Sequence, residues 1–111
     1  MKSESILRVF KMSGLNALIG DLVKAANTSG STPQSKREYL LERAIITIFE
    51  LREEAGIPRT KKSDDVLAYL QAVAIGISHK AADDQLVIKA LLLAAGMIRD
   101  LHIIQSTRPR W

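Results

Sequence analysis

The sequence predicts an all-α protein, a small four-helix bundle with a fifth helix if the chain breaks near Ser13-Gly14. Three observations support this. Apolar residues recur at three- and four-residue steps in four separate stretches, the signature of amphipathic helices rather than strands. Aromatic residues are confined to Phe10, Phe49, Tyr39, Tyr69 and Trp111, so the core must be aliphatic. The third is the stretch Gln85–Gln105, QLVIKALLLAAGMIRDLHIIQ, which is apolar nearly all round and therefore demands cover on several sides. Lys89 and Arg99 confine its unbroken apolar run to Ala90–Ile98, well under the ~20 residues a membrane span needs.

Residues 4–26 form the first helical pattern, with Ile6, Val9, Phe10, Gly14, Ala17, Leu18, Asp21, Leu22 and Ala25 along one side and Asp21 the exception among them. Ser3 is placed to cap it, and Gly14 costs ~1 kcal/mol relative to Ala in a helix interior. The polar run Asn27–Thr32 is a loop. Thr32 then reads as an N-cap, with Pro33 at the first helical position where its missing N–H is harmless. Leu40, Leu41, Ala44, Ile45, Ile48, Phe49, Leu51 and Ala55 fill one arc of the second helix, and Gly56-Ile57-Pro58 stops it. Tyr39 and Ile46 fall off that arc. Lys36 and Arg37 stand near the start of this helix and Glu50, Glu53 and Glu54 near its end, both against the macrodipole. Either Arg59, Lys61 and Lys62 fold back over the acids, or the acids face a basic partner.

Ser63 is expected to cap a third helix, with Asp64 and Asp65 in the favourable first turn. Val66, Leu67, Leu70, Val73, Ala74 and Ile77 make its inner side, and Gly76 with Ser78-His79 marks its end. Asp83 or Asp84 caps the final helix. Three sides of that helix are apolar: Leu86, Ala90, Leu93, Met97, Leu101 and Ile104; then Val87, Leu91, Ala94 and Ile98; then Leu92, Ala95 and Ile103. Three neighbours are expected to cover only two of these sides, which points to a homodimer with this helix at the seam. Residues 1–105 make one domain, followed by a tail, 106–111, that is flexible or docks on a partner.

The chemistry of catalysis is hard to find in this chain. There are no cysteines, so disulfides, thiolate metal ligands and thiol nucleophiles are excluded, and the cytoplasm is the default location. His79 and His102 lie in different elements without ligands at metal spacing. Asp64-Asp65 and Asp83-Asp84 are adjacent pairs that point apart and suit helix starts. No phosphate loop or G-x-S-x-G occurs. No catalytic, metal or cofactor residue is assigned, and no enzyme is expected.

The formal net charge of +4 raises the question of nucleic acid. The basic residues Arg59, Lys61, Lys62, Arg108 and Arg110 fall in a loop and a tail rather than on a helix face, so they suit an acidic partner or nucleic acid only in part. Residues 67–95 resemble a degenerate helix-turn-helix, with Ala72 four residues before Gly76. Asp83 and Asp84 at the start of the reading helix would repel phosphates, and Gln85 falls where an apolar residue belongs.

By elimination the sequence points to a small regulatory protein of bacterial or phage type. Such an anti-activator, immunity or inhibitor protein binds another protein through an apolar helical surface. The interface residues expected on this basis are Tyr39, Ile46, Leu92, Met97, Ile103 and Trp111.

Overall fold

The computed structural model describes the backbone of residues 2–28, 32–58, 60–80 and 83–107, with side chains for all of these except 2–13 and 105–107. Four helices follow in order: α1 Lys2–Asn27, α2 Gln34–Ala55, α3 Lys61–Ser78 and α4 Asp84–Thr107. α1 runs unbroken through Ser13-Gly14, so the bundle has four helices among the described residues and not five.

α1 ends on threonines. The Thr28 N–H and hydroxyl both donate to the Lys24 carbonyl, and the Thr32 N–H donates to the Thr28 carbonyl. The Thr28 and Thr32 hydroxyls then bond each other at 2.7 Å. That pairing takes Thr32 away from the N-cap role expected of it. Pro33 occupies the cap instead, in extended conformation, and its carbonyl accepts from Lys36 and Arg37. At the other end α2 closes as its sequence requires. Gly56 is left-handed at φ 66°, and the Gly56 and Ile57 N–H groups donate to Glu53 and Arg52 in a Schellman motif.

α3 begins three residues earlier than Ser63 suggested. The Thr60 hydroxyl accepts from the Ser63 N–H while the Ser63 hydroxyl accepts from the Thr60 N–H, a reciprocal capping box. Ser63 thus serves at the third helical position, and Lys61 and Lys62 belong to the first turn of a helix rather than to a loop. α3 ends at Ser78 with His79 as its C-cap, where the sequence places it, but Gly76 lies inside the helix, and the left-handed residue that turns the chain is Lys80, at φ 56°. Asp83, not Asp84, caps α4 by accepting from the Gln85 N–H.

α2 and α4 pack on each other, and each also packs on α1 and α3; α1 and α3 do not meet among the described residues. The cross-section is a diamond with α2 and α4 on its short diagonal. The molecule measures 47 × 30 × 19 Å, so it is two helices deep. Val87, Ala90, Leu91, Ala94 and Ile98 of α4 are wholly buried against Leu41, Ala44 and Ile48 of α2, Leu22 of α1 and Leu70 of α3 in one core. α1 is rotated from its expected arc: Leu15, Leu22, Ala25 and Ala26 go inward, while Gly14, Ala17 and Asp21 face out. Turning the bulkier Leu15–Ile19–Leu22 side inward keeps the Asp21 carboxylate in water.

One charge is buried among the described residues. Arg37 is 1% exposed, and its guanidinium lies 3.5 Å from the Asp84 carboxylate, which also accepts from the Gln34 amide at 3.5 Å. The starts of α2 and α4 therefore share one end of the bundle. Asp84 offsets a cation that sits unfavourably near two helix N-termini.

Thr60→Ala removes half the capping box and should lower unfolding free energy by about 1 kcal/mol in urea denaturation. Lys80→Gly relieves a left-handed side chain and should raise it by roughly 1 kcal/mol in the same experiment. A destabilised Lys80→Gly variant would mean that the turn is not built as described.

Candidate protein-docking surfaces

Because α2 and α4 face each other through their buried arcs, their outer arcs form the two opposite broad faces of the molecule. Large apolar side chains are exposed on both. On α2 these are Tyr39 (59% exposed), Ile46 (54%) and Phe49; on α3, Ile75 (58%); on α4, Leu86, Leu92 (44%), Leu93, Ile103 (49%) and Ile104.

The α2 side holds the better-formed site, an open groove of about 630 Å³ between α2 and α3. Ile45 and Ala74 are buried at its base, while Ile46 and Ile75 stand exposed along it. Glu38 and Glu42 line it from α2, and Gln71, Ser78 and His79 from α3; neither Lys nor Arg lines it. Helical spacing explains this composition. Glu38, Glu42 and Ile46 repeat every four residues along one flank of α2, as Gln71, Ile75 and His79 do along α3. On a chain of net charge +4, this groove is apolar with an acidic wall.

Further along the same helix, the described residues test only part of the cover that the sequence suggests for the acids at the end of α2, since Arg59 lies outside them. Lys61 and Lys62 are exposed in the first turn of α3, and no ion pair joins either to Glu50 or Glu53 among the described residues. Arg52 reaches the start of α3 instead, where its guanidinium donates to the Ser63 carbonyl at 3.5 Å.

The face of α4 is less uniform than its sequence implies. The side through Val87, Leu91, Ala94 and Ile98 is fully buried. The side through Leu86, Ala90, Leu93, Met97, Leu101 and Ile104 is split: Ala90 and Leu101 are buried, Met97 is half-buried, and Leu86, Leu93 and Ile104 are exposed. On the third side Ala95 is buried and Leu92 and Ile103 are not. A shallow groove of about 260 Å³ runs between Leu93 and Met97 of α4 and Lys62, Ser63 and Val66 of α3.

Of the interface residues the sequence singled out, Tyr39 and Ile46 thus share the α2 face, and Leu92, Met97 and Ile103 belong to α4 on the opposite side. Trp111, Arg59, Arg108 and Arg110 lie outside the described residues. Ile75 was missed as a site residue although it stands off the apolar arc of α3, a signal as clear as that of Ile46. The sequence places Phe49 on the apolar arc of α2, and Leu86, Leu93 and Ile104 on one apolar side of α4 without saying whether that side is covered; all four are exposed. Arg37 carried no sequence signal for burial.

In the stretch 67–95 that resembles a helix-turn-helix, Val87, Ala90 and Leu91 pack one side of α4 into the core, and Gln85 is exposed where the motif needs an apolar residue. Among the described residues no cluster of three or more His, Asp or Glu could hold a metal ion. No helix among them is long and apolar enough to cross a membrane. Comparison with protein-family models, curated proteins and solved structures found no match to this chain.

Ile46→Ser and Ile75→Ser change exposed side chains only. Each should leave the thermal stability of the isolated chain within about 0.5 kcal/mol of the parent, as read by denaturant unfolding. A loss of 2 kcal/mol or more, the scale of a buried isoleucine, would show that the groove is closed in solution.

Proposed function

We propose that this chain is a small, non-catalytic regulatory module that binds another protein and inhibits, sequesters or adapts it. It does so as a homodimer, using α4 for self-association and the opposite α2–α3 face for its partner. The observation that carries this reading is the groove: Ile46 and Ile75, each more than half exposed, flank buried Ile45 and Ala74 beside the Glu38 and Glu42 carboxylates.

Ile46 and Ile75 are little more than half exposed, so a partner that covers them gains from each roughly half of the about 1.5–3 kcal/mol of a fully exposed isoleucine. The long, shallow form between two packed helices suits an amphipathic helix, whose anchors at i, i+3, i+4 and i+7 enter such a groove. The carboxylates of one wall select the flank of that helix. Lysine or arginine there meets Glu38 and Glu42 favourably, while acidic flanks are repelled. The partner segment is therefore an amphipathic helix with basic flanks.

The test is fluorescence anisotropy of synthetic helices with the same apolar face and either lysine or glutamate flanks, titrated with the full chain. Lysine-flanked helices should bind at least about tenfold more tightly at low salt, and the preference should shrink as salt rises. Glu38→Lys with Glu42→Lys should reverse it. Equal binding of both peptide classes, or binding that survives Ile46→Glu with Ile75→Glu in a folded protein, would overturn the assignment of this groove.

A further inference from the structure

Along α4, Leu86, Lys89, Leu93, Met97, Asp100 and Ile104 follow one another at three- and four-residue steps. At 3.6 residues per turn they share a stripe about 80° wide. Leu86, Leu93 and Ile104 are 45%, 37% and 46% exposed, Met97 is half-buried, and Lys89 and Asp100 are exposed. Helical spacing of this kind is what a two-helix seam uses.

The order of residue types is nearly the same from either end: apolar, charged, two apolar, charged, apolar. Only the sign of the charge changes. A parallel copy would set Lys89 against Lys89 and Asp100 against Asp100. An antiparallel copy sets each Lys89 against the other chain's Asp100, Leu86 against Ile104 and Leu93 against Met97.

From this self-complementary pattern we infer that two copies pair through an antiparallel α4–α4 seam, related by a two-fold axis near Ala95. The inference rests on the self-association reading above and adds the direction and register of the contact. Because the interface is isologous, the Lys89–Asp100 pair occurs twice, once on each side of the axis. Apolar burial of Leu86, Leu93 and Ile104 supplies affinity, and the paired charges exclude the parallel arrangement, in which like charges would be juxtaposed. The shallow groove that Leu93 and Met97 share with Val66 of α3 offers the incoming leucine and methionine a seat. Arg99 approaches Asp100 within the chain only at 3.8 Å, between two side chains that are each about two-thirds exposed, a contact of little strength. It does not compete with a pair dehydrated at a seam.

Sedimentation equilibrium of the full chain tests this with a charge swap. The parent should be a dimer. Lys89→Asp and Asp100→Lys should each raise the dissociation constant by about tenfold or more, since each places like charges together twice. The double variant should return to within about threefold of the parent. Both positions are exposed, so helix content by circular dichroism should be unchanged throughout. A dimer of equal strength in all four proteins would overturn the antiparallel register and leave self-association standing. A double variant as weak as the singles would also overturn the register. A parent that stays monomeric would overturn both.

Discussion

A stack two helices deep cannot enclose a helix that is apolar on every side, and the surface of this protein follows from that constraint. α4 gives its Val87–Leu91–Ala94–Ile98 side wholly to the core, where small Ala90 and Ala94 let α2 approach. Beyond that side Ala90, Ala95 and Leu101 are also buried, while Leu86, Leu92, Leu93, Ile103 and Ile104 are left at the edges. The diamond cross-section imposes the same fate on α2, its partner on the short diagonal. Tyr39, Ile46 and Phe49 appear outside for the same geometrical reason.

The proposed binding role uses both broad faces, each of which exposes large apolar side chains. One face carries a charge pattern that complements itself when reversed. The other carries an acidic wall beside apolar anchors on a chain whose net charge is positive. In the proposed role, electrostatics fixes direction on one face and partner class on the other. The buried Arg37 works differently. Held 3.5 Å from Asp84, it ties the start of α2 to the start of α4, the two helices on the short diagonal.

Much of the architecture was legible in the residues. Gly56-Ile57-Pro58 marked the end of α2 because a Schellman turn needs a left-handed residue there, and Gly56 supplies it. Caps were harder, since several Ser, Thr and Asp residues competed for each one. Thr32 lost its place to a bond with Thr28, and Ser63 became the returning half of a box begun by Thr60. Lys80 could not have been picked out, because nothing in a lysine announces a left-handed conformation. The exposure of Tyr39 and Ile46 was readable from a single helix, as both stand far from their apolar arc. That of Leu93 was not, because it depends on how α3 and α4 lie beside each other, a property of two helices together. The burial of Arg37 likewise depends on Asp84, distant in sequence and adjacent only in the fold.

The central claim is that the outer edge of α4 is covered by another chain in solution. Solvent paramagnetic relaxation of methyl groups in the intact protein measures that cover directly, with buried Leu91 and exposed Ile46 as internal standards. Leu93 and Ile104 methyls shielded nearly as well as Leu91 would match this account. Relaxation of those methyls as fast as that of Ile46, at the concentrations such spectra require, would contradict it.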